Sequence, residues 1–441
     1  MKGHAAHVCS TCGAAAARWA GRCAACGEWN TLVASATPGG APATTPLRDA
    51  GRDEAPVRPT GVGELDRVLG GGLVDGSTTL LFGEPGVGKS TLALAALRSR
   101  ALAGDPVFLV AAEESPAQVA CRARRLGELP AGLEVCATTD VATAESLVRQ
   151  RRPALVVVDS ICALSDPAIG ASAGSVPQVR HGAERLCAAA RAAGTALVLV
   201  GHVTKDGDLA GPRTLEHLVD TVIRIEGDRH GTLRTLRCVK HRFGPTDEVG
   251  LMEMVPEGLR ELVDPAGSLA GCGLVVPGVV VGVTLDGSRA TRVEIQALVA
   301  ASAGPPRRLA HQVSAQRLAL LLAVLEARCG LDTGARDVFA ASAGGLCAQE
   351  PGVDAALALA VASAVGGFAV PRSLAVIGEV GLAGELRATP GTARRVREAR
   401  RLGATTVVVP AAGAPQDDAG GSLARCGSLA EALELARGVA T

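Results

Sequence analysis

Tyrosine is absent from this chain, and aromatic residues make up 2% of its 441 positions. With so few rings, the cores must be built from Ala, Val and Leu. Lysine is almost as scarce: Lys2, Lys89, Lys205 and Lys240 stand against 40 arginines. Such an imbalance reads as a coding bias that places arginine wherever it serves. The lysines that remain therefore mark positions where a guanidinium does not replace an ammonium. Net charge is also missing, with 44 basic and 44 acidic side chains. Nucleic-acid binding would then need a local basic surface, not a global one. No apolar run approaches the roughly 18 residues of a membrane span. The start, Met1 to His7, lacks the apolar core of a secretory signal, so a cytoplasmic location is expected. In a reducing compartment, thirteen cysteines argue for metal ligands and buried thiols instead of disulfides.

What is present divides the chain into four parts. Residues 1–33 form a cysteine-rich module, and 34–58, rich in Ala, Pro, Thr and Gly, read as a linker. Over 59–265, apolar runs alternate with helical stretches, which predicts an α/β domain with a mostly parallel sheet. Strands are expected at Thr78–Phe82, Val107–Ala112, Ala154–Asp159 and Ala196–Val200, with Val219–Ile225 and Leu233–Val239 as an antiparallel extension. Residues 266–441 read as a separate α+β domain, with a strand over Leu274–Leu285 and helices over Ala310–Arg328 and Pro351–Val365.

Cys9-x2-Cys12 and Cys23-x2-Cys26 are two knuckles a short loop apart. Together they supply the four thiolates of a closed, structural zinc site. Gly13 and Gly27 follow the knuckles, where tight turns favour glycine. Trp19 and Trp29 both fall in this module, and burial of both is expected because so small a unit needs more than its metal.

Gly83-Glu84-Pro85-Gly86-Val87-Gly88-Lys89-Ser90 follows a strand and opens a helix that continues with Thr91. This is the context of a phosphate-binding loop. Its backbone N–H groups and helix N-terminus would face the phosphates of ATP. Lys89 would reach the β/γ-phosphates, and Ser90 would bind Mg²⁺. Asp159, at the end of an apolar strand, is the second candidate for the metal's coordination shell. Glu113 and Glu114 end a neighbouring strand; one of them is the candidate activator of water, with Glu113 the first choice. His202 ends a further strand and is a candidate γ-phosphate sensor.

At these residues the chain resembles the bacterial RadA (Sms) family of RecA/DnaB-like ATPases. The likeness runs through the four-cysteine finger, Thr60-Gly61-Val62-Gly63-Glu64-Leu65-Asp66, the phosphate loop, Ala112-Glu113-Glu114-Ser115 and Gly201-His202-Val203-Thr204-Lys205. Lys240-His241-Arg242-Phe243-Gly244 resembles the family pentapeptide Lys-Asn-Arg-Phe-Gly, with histidine at the second position. From about residue 270 onward the chain resembles the proteolytic domain of Lon, over Glu350–Ala364 and Gly378–Leu386. That chemistry needs a serine nucleophile and a lysine base. Asp354 stands where the serine would align, Ala393 near the lysine's place, and this domain contains no lysine. The expected fold is thus a RecA-like core between a zinc finger and a non-peptidase Lon-like domain.

The resemblance implies a DNA-dependent ATPase and ring helicase, a homo-oligomer and expectedly a hexamer. It would act on single-stranded and branched DNA with the RecA recombinase in branch migration. It further implies that Lys240 and Arg242 reach a neighbouring subunit's γ-phosphate, and that Lys205 and Arg213 contact DNA phosphates in the channel. The arginines at 387, 394, 395, 397, 400 and 401 are candidates for a basic DNA-facing surface. An ATP-dependent protease and a KaiC-like regulatory ATPase are the alternatives.

Overall fold

The computed structural model describes residues 7–16, 18–34, 56–202, 212–227, 231–262, 275–343, 346–415 and 422–439. The chain forms two compact units, Met1–Glu54 and Ala55–Thr441.

In the first unit, strands β1 (His7–Cys9), β2 (Ala15–Ala16) and β3 (Leu32–Ala34) pair antiparallel in the order β2-β1-β3. The knuckles fold as twin turns: Gly13 N–H donates to the Cys9 carbonyl and Gly27 N–H to the Cys23 carbonyl, both at 2.9 Å. Their φ values of +72° and +81° lie in the left-handed region that glycine adopts without strain. The expected burial of the tryptophans is not found: Trp19 is 60% and Trp29 68% exposed. Strands of two or three residues provide no second layer to cover an indole. The buried apolar cluster here is Cys9, Cys23 and Leu32, so the thiolate site itself occupies the centre. Trp29 lies instead beneath the Arg22 guanidinium, 5.8 Å from its ring centroid.

The larger unit begins with β4 (Val57–Arg58), α1 (Gly63–Val68), β5 (Leu73–Val74) and β6 (Thr78–Gly83). There follow α2 (Lys89–Leu102), β7 (Val107–Ala111), α3 (Pro116–Arg125), β8 (Leu133–Ala137), α4 (Val141–Arg151), β9 (Leu155–Asp159), α5 (Val176–Ala193) and β10 (Ala196–His202). After α6 (Pro212–Glu216) come β11 (Thr221–Gly227), β12 (Leu233–His241), β13 (Val249–Val255) and β14 (Gly258–Glu261). Nine strands make one sheet in the order β14-β13-β12-β11-β6-β10-β9-β7-β8. Parallel neighbours need crossover helices, which cover both faces. That is why β6 and β7 are buried throughout; β7 is an unbroken apolar run, and β6 is apolar after its two opening threonines. Two details differ from expectation. β11 pairs parallel with β6, so the antiparallel extension begins only at β12. The edge strand β8 is half-exposed and carries no apolar run to announce it.

The second sheet has seven strands in the order β17-β18-β16-β15-β19-β20-β21, where β15 is Val279–Asp286, β16 Arg289–Ala301, β17 Arg308–His311, β18 Arg336–Ser342, β19 Leu374–Val376, β20 Thr406–Pro410 and β21 Ser422–Cys426. Two helices are shorter than their apolar patterns. The one expected from Ala310 runs over Ala315–Cys329, because Ser314 caps it by accepting from the Arg317 N–H. The one expected from Pro351 is preceded by a short 3₁₀ turn and spans Asp354–Gly366.

The two sheets meet at the β15–β16 turn. Arg237 of β12 reaches Asp286 through both terminal nitrogens. Ser288 N–H donates to the Asp247 carbonyl at 2.6 Å. Arg289, buried, pairs with Glu64 of α1 and donates to the Val249 and Leu262 carbonyls at 3.0 and 3.3 Å.

Arg395 does not belong to the basic surface the sequence suggested. It is 1% exposed, ion-paired with Glu350, and donates to the Val283 carbonyl at 2.6 Å. Arg387 and Arg401 are likewise committed, to Glu385 and Glu398. Removing one partner of a buried pair typically costs about 3–5 kcal/mol. Glu350 is 26% exposed and can rehydrate, so Arg395→Ala should cost about 3 kcal/mol. Chemical denaturation checks this; a loss within 1 kcal/mol would show that the pair is not structural.

Candidate functional site

β6 delivers the phosphate loop and α2 continues it. Gly83 closes β6 beside β11 so tightly that a Cβ would stand 2.3 Å from the Ile225 carbonyl oxygen. Gly88, at φ +114°, sets the N-terminus of α2 in a conformation other residues rarely adopt. Lys89 is buried, and its ammonium donates to the Gly83 and Glu84 carbonyls, each at 2.9 Å. Burial pushes its pKa down, while Asp159 and Glu113 oppose that shift.

Strand register places the carboxylates. Asp159 ends β9 level with Ala111 of β7 and Val200 of β10. Glu113 and Glu114 follow β7 after Ala112. Ser90, Glu113, Glu114, Arg122 and Asp159 line one small cavity of about 40 Å³, room for a water or a small ion. The two glutamates are held differently. Glu113 accepts from the Ser160 hydroxyl next to Asp159, whereas Glu114 is ion-paired with Arg122. Larger clefts, of about 420 and 480 Å³, lie between the two sheets and on the outer face of the second sheet.

Lys240, half-buried near the end of β12, donates to the Glu216 and Val219 carbonyls at 2.6 and 2.8 Å. Arg242 pairs with Asp220 at 3.0 Å. Both side chains therefore turn toward the segment 216–220. Register fixes where that is. Lys240 lies opposite Val222, which lies opposite Leu80, whereas the phosphate loop leaves β6 after Gly83, opposite Ile225. Lys240 is thus about 10 Å back along the strands and two strands, about another 10 Å, to the side. His241 bridges Thr221 Oγ1 at 3.0 Å and the Leu69 carbonyl at 3.2 Å, and burial lowers its pKa.

The backbone of His202 is level with Gly83. Its side chain and that of Arg213, on α6, lie outside the described residues, as does Lys205. Arg122 is the site residue the sequence did not disclose. The signal was available: Ser115 and Gln118 form a capping box that starts α3 at Pro116 and so fixes Arg122 two turns along it.

In the first unit, the Sγ atoms of Cys9, Cys12, Cys23 and Cys26 all lie within 4.8 Å of one another. Four thiols converging from twin knuckles fit a tetrahedral thiophilic ion and leave no open position for catalysis. Chelation should release about one zinc per chain and erase amide-exchange protection over 7–34, since metal binding in so small a unit is folding energy. Protection that survives chelation would remove the structural role. Tryptophan emission should respond weakly, given the exposure of both indoles.

These features define a RecA-like P-loop ATPase that carries a zinc ribbon ahead of its core and a Lon-like domain after it. Comparison with known proteins agrees segment by segment. The KaiC ATPase family model matches residues 58–134, the rubredoxin metal binding domain 7–34, and the Lon protease (S16) C-terminal proteolytic domain 339–418. The DNA repair protein RadA of Mycolicibacterium smegmatis is 45% identical, over 91% of this chain and 90% of that one. RadA of Pseudomonas aeruginosa is 44% identical over 93% of both, and RadA of Bacillus subtilis 40% over 92% of both. A crystal structure of the RadB recombinase aligns with 46% of this chain and 98% of its own at 25% identity, with a TM-score of 0.38. The chain belongs to the RadA family of DNA repair ATPases. No helix among its described residues is long and apolar enough to cross a membrane.

Proposed function

We propose that this protein is a DNA-dependent ATPase working as a ring, a hexamer of the helicase type, which drives branch migration of recombination intermediates together with the RecA recombinase in the cytoplasm. The observation that carries the reading is the separation of Lys240 from its own phosphate loop across the same sheet. A cation pair set back from its own phosphate loop in this way would serve a nucleotide on a neighbour, and a closed ring gives every site such a neighbour.

In this reading the loop from Gly83 to Thr91 binds ATP, with Lys89 on the β/γ-phosphates. Ser90 and Asp159 would hold Mg²⁺, which supplies charge neutralisation at the transferring phosphoryl group. Glu113, steadied by Ser160, orients the attacking water and takes its proton. Lys205 and Arg213 contact backbone phosphates of single-stranded DNA. The boundaries 1–33, 34–58, 59–265 and 266–441 describe its parts. The Lon-like domain is a scaffold without peptidase activity: Asp354, in the serine's place, is buried and held by Arg317 at 3.0 Å, and no lysine is present.

Steady-state ATPase activity with and without single-stranded DNA, at rising salt, tests the proposal. DNA should stimulate turnover several-fold, and salt should abolish the stimulation as counterion release weakens binding. Turnover indifferent to DNA would favour a regulatory ATPase, the reading to which the KaiC match over 58–134 lends weight.

A further inference from the structure

Three carboxylates, Glu113, Glu114 and Asp159, face one small cavity, and the roles proposed above use two of them. Lys89 is one cation beside them; Arg122 is the other. α3 is rigidly started: Pro116 opens it, and Ser115 and Gln118 close its capping box. Helical side chains lean toward the N-terminus. Arg122 therefore runs back along α3, with Val119 and Ala123 of the same helix buried at its base. Its guanidinium ion-pairs with Glu114 and comes within 3.9 Å of Asp159. Arg122 and Asp159 are 17% and 16% exposed, so water screens their attraction poorly.

We infer that Arg122 is a positioning residue of the hydrolytic site, whose fixed charge holds Glu114 aside from the water held by Glu113 and competes with a divalent cation for Asp159 until nucleotide arrives. The inference rests on the reading of Asp159 as the metal-holding carboxylate. It assigns the two adjacent glutamates different tasks, one in the chemistry and one as the anchor of an arginine. It also makes metal binding dependent on the nucleotide. Alone, a cation must displace a guanidinium; with ATP, the phosphates supply further ligands that outweigh the arginine.

The test uses the zinc-loaded full chain without nucleotide, with Mn²⁺ alone as the probe and its affinity read by electron paramagnetic resonance. Arg122→Gln should tighten Mn²⁺ binding about tenfold, as expected for deleting one positive charge a few ångströms from the site. Arg122→Lys, which keeps the charge, should bind Mn²⁺ as wild type does. In turnover, Arg122→Gln should lower kcat about tenfold with KM for ATP within about twofold, the pattern of an interaction needed in the chemical step. In a Glu114→Gln background the same change should have no further effect on kcat, because there is no longer an anion to hold aside. Unchanged Mn²⁺ affinity in a folded Arg122→Gln protein overturns the inference, as does an undiminished kcat effect in the Glu114→Gln background. Should Arg122→Gln fail to fold, Arg122→Lys decides: weaker exclusion of Mn²⁺ than wild type, or a tenfold loss of kcat despite the retained charge, counts against the inference. Glu113→Gln with full turnover would sink the choice of water activator while leaving the Mn²⁺ result intact, so the two failures are separable.

Discussion

Lys89→Ala should abolish ATP hydrolysis, with turnover falling on the order of 10³-fold or more, since the developing phosphate charge loses its closest side-chain cation. Among the described residues, no other lysine lies beside this loop. Of the remaining lysines, Lys240 lies two strands away and is engaged by two carbonyls of its own subunit. Lys89→Arg should fail almost as completely. The ammonium sits buried between the Gly83 and Glu84 carbonyls, and a planar fork needs room that this loop lacks. Phosphate release under saturating ATP is the measurement, with circular dichroism as the control for folding. Wild-type turnover in either variant would displace the nucleotide site from this loop.

Lys240→Ala should produce a loss nearly as large by a different route. Cations supplied in trans contribute about 10³–10⁵ in rate; because Arg242 remains beside it, a drop of about 10²–10³ is expected here. Nucleotide affinity of the separate subunits should change little, because Lys240 does not approach its own phosphate loop. Loss of its bonds to Glu216 and Val219 should cost about 1 kcal/mol of stability, which thermal melting will register apart from turnover. The decisive measurement is mixing. Lys89→Ala subunits keep the trans cation, and Lys240→Ala subunits keep the loop. Mixed rings should recover part of the activity that neither variant shows alone. No recovery, or loss of nucleotide binding in isolated Lys240→Ala subunits, would refute action across a subunit boundary.

The sequence disclosed this site to the extent that its parts are local. The phosphate loop is nine consecutive residues, and the twin knuckles are short motifs, so residue type and spacing were enough. The buried strands were legible because parallel strands covered on both faces are apolar at most positions. What escaped was set by contacts between distant residues. Arg395 looked like one of a row of surface arginines, and only its packing against Glu350, 45 positions earlier, shows it to be interior. Trp19 and Trp29 looked like core because so small a module was expected to need their burial beside its metal; its centre is instead the thiols and Leu32, which leave both indoles outside. Glu113 and Glu114 were indistinguishable as a dipeptide, and they separate only once Ser160 and Arg122 are seen beside them.

The contacts at the β15–β16 turn bear on how this protein can be divided. A fragment ending at residue 265 would hold every nucleotide-binding residue and would look like a complete domain. It would also strand Glu64, whose charge is buried at 5% exposure against Arg289, and would take from Arg237 its partner Asp286. The Leu251 N–H, which donates to Glu64, would sit beside a carboxylate with its arginine cation gone. The unit that folds is therefore longer than the unit that binds ATP, and an inactive fragment would report a broken keystone instead of a missing catalytic part.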